Sequence, residues 1–220
     1  MKQIWIIHKL GDAERLLNIG SILKPDFAID NVNIICTENC FSLTFAILSS
    51  LPDELGSIGF CLRQLTKSER SVFKKHALAL DSIQHSGQSF GLVLEDDVGF
   101  ISYERFCKFW FRLDSNEFCK NFDILFIGTG AHVPLMGSGI VVPTHTWHKS
   151  KCADSYFVKP SVARLILEDY SLYPPFMPYD WDLSLRINRL SLAVGWLQPG
   201  LTYQGSQTGQ FKSTIQKYNE

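Results

Sequence analysis

The sequence has little net charge: 21 basic and 22 acidic side chains leave −1. So even a balance provides no long-range field for nucleic acid. There is no Cys-x-x-Cys pair, which argues against a structural zinc site. The six cysteines, Cys36, Cys40, Cys61, Cys107, Cys119 and Cys152, are expected to be buried, small and reduced. A chain of 220 residues buries a core without disulfide staples. There is no Gly-x-x-x-x-Gly-Lys loop, so a phosphotransferase of that type lacks its phosphate cradle. Long apolar runs are missing too. The longest uncharged stretch, 124–148, is broken by Gly128, Gly130, Pro134, Gly137, Gly139 and Pro143, and holds three histidines. It does not form an apolar helix of about 20 residues. Ile4 to Ile7 is too short for a secretory signal before His8 and Lys9. With neither repeat nor linker visible, the expectation is one cytoplasmic domain over 1–220.

What is present is alternation. Lys2 to His8 predicts a buried strand. Asp12 predicts the cap of a helix with Leu16, Leu17 and Ile19 on its apolar face. Val32 to Cys36 predicts a second strand, and Phe41 to Leu51 fits either helix or strand. Thr66-Lys67-Ser68-Glu69 matches a capping box. The helix it opens carries Val72, Phe73, His76, Ala77, Leu80 and Ile83 at helical spacing and stops by Gly87. Lys67, Arg70 and Lys74 share one side of it and could attract phosphate, with a solvated basic face the preferred expectation. Phe90 to Leu94, Ile124 to Ile127, Ser155 to Val158 and Ala193 to Trp196 predict further strands, the last of them final. Helices are predicted over 104–113, from Pro160 with Val162, Leu165 and Ile166 inward, and from a cap at Asp180 to Arg189. Such alternation predicts an α/β sheet with helices on both faces.

Glu95-Asp96-Asp97 directly follows the strand Gly91 to Leu94. In open α/β sheets, ligands bind beyond the carboxyl ends of the strands. Three adjacent acids repel one another unless a cation or donors sit among them. Oxygen ligands of this kind suit a hard divalent ion, Mg²⁺ or Mn²⁺. Such an ion can hold a diphosphate and neutralise the charge building on a departing phosphate. The alternative is an acidic turn that caps the next segment.

Leu65-Thr66-Lys67-Ser68-Glu69, His76 and Leu94-Glu95-Asp96-Asp97-Val98 together resemble the glycosyltransferases of family 25, which include the lipooligosaccharide galactosyltransferases. The resemblance continues through Asp123 to Gly128, Ala153 to Ile166, Pro178-Tyr179-Asp180-Trp181, and a tail with Pro199-Gly200-Leu201, Gln204 and Ser213-Thr214-Ile215. Ile4 to Arg15 is a weaker match to the opening strand and arginine. Ser68 replaces the family's Gly, and His8 replaces its Asn.

The resemblance implies a single GT-A, Rossmann-like domain with a mixed central sheet. It implies a nucleotide-sugar half of about 1–130 and an acceptor half of about 131–220. It implies an inverting, metal-dependent transfer of a hexose, most often galactose, from a UDP-sugar. The acceptor would be an oligosaccharide or lipid-linked glycan of a bacterial surface, lipopolysaccharide or capsule. No nucleic-acid partner follows, and membrane contact is at most peripheral, at the inner face of the cytoplasmic membrane. Asp97 would ligate Mn²⁺ or Mg²⁺, with Glu95 beside it through water. Asp96 would face the ribose or a basic partner. Asp180 would be the base, with Asp182 second, and Trp181 a sugar platform. Arg15, Glu69, His76, Tyr156, Gln204 and Ser213 would contact donor or acceptor, the last two from a mobile tail. Apart from the resemblance, His145 and His148, three apart, could form a ligand pair, and an acceptor-site loop is the preferred expectation. A decayed, non-catalytic nucleotide- or glycan-binding module is the competing expectation.

Overall fold

The structure is a computed structural model that describes residues 3–9, 11–23, 32–35, 65–113, 121–130, 138–142 and 149–211. Phe41 to Leu51, His145, His148, Ser213 and four of the six cysteines lie outside the described residues. In chain order the elements begin with β1 (Gln3–Ile7), α1 (Ala13–Ile22), β2 (Val32–Ile35), α2 (Lys67–Gln84), β3 (Gly91–Glu95), β4 (Val98–Phe100) and α3 (Tyr103–Arg112). They continue with β5 (Ile124–Phe126), β6 (Gly139–Val141), β7 (Ser155–Val158), α4 (Pro160–Leu172), α5 (Tyr179–Arg189), β8 (Val194–Gln198), β9 (Thr202–Gln204) and the single turn α6 (Gly205–Thr208).

Seven of these strands form one sheet in the order β2-β1-β3-β7-β5-β8-β6. β1 runs parallel to β2 and β3, and β7 runs antiparallel to β3 and β5, so the sheet is mixed. Side-chain alternation explains its two layers. Trp5, Ile7, Val93, Tyr156 and Trp196 pack with Phe73 and Leu80 of α2, Ile166 of α4 and Leu183 of α5. Ile4, Ile6, Leu92, Leu94 and Phe157 pack on the other face with Ile19 of α1 and Phe106 and Trp110 of α3. A one-residue slip of β1 or β3 would exchange these two sets, which pins the register.

The capping box forms in full: Thr66 Oγ1 accepts from Glu69 N–H, and the Glu69 carboxylate accepts from Thr66 N–H at 2.8 Å. Asp12 caps α1. That helix turns Arg15 and Ile19 inward, one turn apart, and leaves Leu17 74% exposed, so the expected leucine face is corrected. Leu165 likewise stays outside, while Ala163 and Leu167 are buried. Asp180 is not a cap. Pro178 holds that position and Asp180 lies inside the first turn of α5. Nor is β8 the last strand, because β9 pairs antiparallel with β4. Gln204 therefore closes a strand instead of belonging to a mobile tail.

Asp182 is fully buried and committed elsewhere. Arg186 Nε donates to it at 3.1 Å, and Arg186 also pairs with Asp169 and stacks over Tyr170. A carboxylate locked into a buried ion network does not serve as a mobile base, and the second candidate is thereby removed. Among the described residues no helix is long and apolar enough to cross a membrane.

Candidate active site

The carboxyl ends of β1 and β3 lie side by side, with Ile7 opposite Glu95 in the parallel register. The turn after β3 therefore faces the turn after β1. Asp96 is buried there, and both of its oxygens are engaged. Arg15 Nη1 donates to one at 2.7 Å, while His8 Nδ1 and the Lys9 N–H contact the other at 3.1 and 2.9 Å. Asp96 thus meets the basic partner of the two expected options. It holds Arg15 and the end of β1 in place.

Asp97 is also buried. Its Oδ2 accepts from Ser206 N–H at 3.2 Å, and its Oδ1 is buried without a hydrogen-bond partner. Burial holds its carboxyl above the usual range, although the Ser206 bond and Arg15 oppose this. The pairing of β4 with β9 brings Gly205 and Ser206 to it, and Gly205 N–H donates to the Asp97 carbonyl at 2.7 Å. A side chain at 205 would place Cβ 2.7 Å from that carbonyl, so only glycine fits the approach.

Glu95 ends β3 with its side chain 19% exposed. Gln204 Nε2 donates to Oε2 at 3.0 Å, and His76 Nε2 lies 3.5 Å from Oε1. Burial first, then the charges of Asp97, Asp154, Asp96 and Asp180, raise its carboxyl well above the ordinary value. His76 is fully buried, and burial together with Lys75 lowers its imidazole to about 3. It is a neutral ring at physiological pH. Tyr156 is fully buried as well, so this expected donor or acceptor contact instead supports His76 from beneath.

Among the described residues, two clefts lie at this end of the sheet. The first, of about 240 Å³, is lined by Lys9, Arg15, Lys67 and Lys75 together with Glu95, Asp96 and Asp97. The second, of about 280 Å³, is lined by Glu69, Cys152, Pro178, Tyr179, Asp180 and Trp181. Val72, Glu95, Gln204 and Ser206 line both. Each cleft draws on residues from both sides of position 130. Of the expected site residues, Arg15, Glu95, Asp96, Asp97 and Gln204 meet in the first cleft. Glu69, Glu95, Asp180, Trp181 and Gln204 meet in the second.

No protein-family model and no curated protein matches the sequence. Solved structures do match in fold. S. aureus TarS 1-349 aligns over 93% of this chain and 60% of its own, at 17% identity and a TM-score of 0.51. The same protein in complex with UDP-GlcNAc aligns over 92% and 57%, at 14% identity and a TM-score of 0.51. The A197 protein from STIV aligns over 93% and 85%, at 14% identity and a TM-score of 0.49. The fold is GT-A-like. The chain spans somewhat under two thirds of the TarS chains, and at such identity the likeness speaks for the fold alone.

Several site residues lay outside the expectation. Lys67, Ser71 and Lys75 recur every four positions along α2 and form one wall of the first cleft, so part of the supposed solvated basic face turns toward the acids. Ser206 and Cys152 carried no sequence signal. Cys152 is half-buried at a positive φ of 68°. Burial and the charges of Asp154 and Asp180 push its thiol up to about 11. Only about one molecule in ten thousand then carries the thiolate at pH 7. Iodoacetamide at pH 7, followed by peptide mapping, is expected to leave Cys152 unmodified while labelling added free cysteine. Prompt modification would contradict this electrostatic account.

Proposed function

We propose that the protein is an inverting glycosyltransferase that moves a hexose, most readily galactose, from a UDP-sugar to a hydroxyl of a bacterial surface glycan. The observation that supports this most is the pair of clefts sharing one edge at Glu95, Gln204 and Ser206. Inversion needs the attacking hydroxyl and the leaving diphosphate on opposite sides of one carbon. Two clefts flanking a single edge suit that requirement.

The first cleft suits the diphosphate. Lys9, Arg15, Lys67 and Lys75 offer positive charge. Among the described residues no three His, Cys, Asp or Glu side chains form a ready-made metal cage. The unpartnered Asp97 Oδ1 nevertheless fits a hard divalent ion that takes its remaining oxygens from water and ligand. Asp97 would hold Mn²⁺ or Mg²⁺ directly. Glu95, already engaged by Gln204, would take part through water. The ion would supply charge neutralisation for the departing diphosphate.

The second cleft suits the acceptor. Trp181 is 47% exposed and offers an indole face to a sugar ring. Asp180, beside it, would accept the proton of the attacking hydroxyl. The nature of the sugar and acceptor comes from the family resemblance, with the reaction placed in the cytoplasm or at the inner face of its membrane.

Hydrolysis and thermal shift with UDP-galactose, UDP-glucose and UDP-GlcNAc, each with Mn²⁺ and with EDTA, test the proposal. One donor is expected to turn over with Mn²⁺ and not with EDTA. At a hundredfold excess over Kd it should stabilise the fold by about 2.7 kcal/mol. That corresponds to about 5 to 10 °C for a chain of this size. Binding without turnover of any donor would indicate the non-catalytic module. No shift with any nucleotide sugar would sink the proposal.

A further inference from the structure

Behind Glu95 the core contains a run of polar aromatic groups that the transfer chemistry does not use. The His76 ring lies flat on Tyr179, with centroids 3.9 Å apart and planes 12° from parallel. His76 Nδ1 contacts the Tyr156 hydroxyl at 3.1 Å, and that hydroxyl contacts the Tyr179 hydroxyl at 2.8 Å. All three residues are buried. Phe73 packs edge-on against Tyr179 and completes the surround.

An apolar trio would fill the same volume without the cost of desolvating an imidazole and two hydroxyls. Here the polar atoms satisfy one another along the chain, with one exception. His76 Nε2 is buried without a hydrogen bond, and Glu95 Oε1 stands 3.5 Å from it. The chain therefore begins inside the core and ends on a carboxylate of the site. Gln204 holds the other oxygen of that carboxylate. Contacts of this length between catalytic groups often tighten into hydrogen bonds once substrate is bound.

Both tyrosines of the chain sit on regular secondary structure. Tyr156 lies in β7, between β3 and β5 in the middle of the sheet. Tyr179 opens α5, lines the second cleft and immediately precedes Asp180. The same core group thus backs Glu95 and sets the start of the helix that carries Asp180.

We propose that His76, Tyr156 and Tyr179 are positioning residues, a buried chain that fixes the Glu95 carboxyl at the edge shared by the two clefts. The catalytic consequence rests on the glycosyltransferase proposal; the geometry of the chain does not. Removal of outer partners of this kind typically costs about 10- to 100-fold in activity.

The test uses Tyr156→Phe, Glu95→Gln and the double variant. Tyr156→Phe keeps the ring and deletes only the hydroxyl. With UDP-sugar and Mn²⁺ it should lower kcat about 10- to 100-fold while KM for the donor barely moves. Because Tyr156 acts through Glu95, the double variant should be no slower than Glu95→Gln alone. Multiplying effects, or an unchanged kcat, would overturn the proposal. A second readout does not need turnover. In ¹⁵N-histidine-labelled protein, Tyr156→Phe should move the His76 Nδ1 signal and Glu95→Gln its Nε2 signal. A His76 Nε2 signal indifferent to Glu95→Gln would overturn the chain whatever the rates. If the wild type turns over no UDP-sugar, the functional proposal falls and the nitrogen signals still decide this one.

Discussion

Asp97→Asn is expected to abolish turnover and, in the ligand-free protein, to raise the melting temperature. The first effect follows from the ion that Asp97 would hold. Loss of a directly bound carboxylate removes several kcal/mol of charge stabilisation from the transition state. That is a fall of about a thousandfold or more. The second effect follows from what the carboxylate costs the empty fold. Asp97 is buried, its Oδ1 has no hydrogen-bond partner, and burial holds its carboxyl above the usual range. An acid whose folded value is raised binds its proton more tightly in the folded state. Stability then declines as pH climbs from the ordinary carboxylate range through the raised folded value. At neutral pH the charge is a burden that Asn does not carry. Asn also keeps an oxygen that can accept the Ser206 N–H. Kinetics with Mn²⁺ and a thermal melt without ligand check both halves. A variant with normal turnover would remove the metal site from Asp97. One that is both inactive and much less stable would mean that the carboxylate is structural.

The cost of that buried charge was partly legible in the sequence. Three adjacent acids at the end of a buried strand are costly unless something binds there, and Glu95 to Asp97 stand at such an end. The parts of the fold with long periodic signals were equally legible. Ile4 and Ile6 alternate with Trp5 and Ile7, and they sort to opposite faces of the sheet. The Thr66 and Glu69 pair announces the start of α2. What stayed hidden lacks period or length. β4 and β9 have three residues each, too few for alternation to show. Their pairing is nonetheless what carries Gln204 and Ser206 to the acids. Tyr156 stands where the resemblance suggests a site tyrosine, but strand alternation sends it inward against α2 and α5. His76 lies on an apolar helix face, where a histidine in the sequence looks the same whether it only fills space or also backs a carboxylate. The difference is one distance to Glu95, and that depends on how β3 and α2 are brought together by the whole sheet.

Asp180→Asn separates the base from everything else at the second cleft. If Asp180 takes the acceptor proton, transfer should fall by about two to four orders of magnitude. Donor binding should hold, because the basic side chains and Asp97 belong to the first cleft, which Asp180 does not line. Pro178 and not Asp180 is the N-cap of α5. The Ser150 hydroxyl binds the Asp180 backbone carbonyl, which the substitution leaves in place. Removing a negative charge near a helix N-terminus costs about 0.3 to 1 kcal/mol. Part of that loss is returned, because Asp180 is one of the charges that repel Glu95. A large drop in transfer with an unchanged melt and unchanged UDP affinity therefore identifies a base. Asp182 cannot stand in for it, since Arg186 holds that carboxylate in the core. Near-normal transfer by Asp180→Asn would shift the role to Glu69, the remaining carboxylate besides Glu95 in that cleft. A parallel loss of UDP affinity would instead attach Asp180 to the donor.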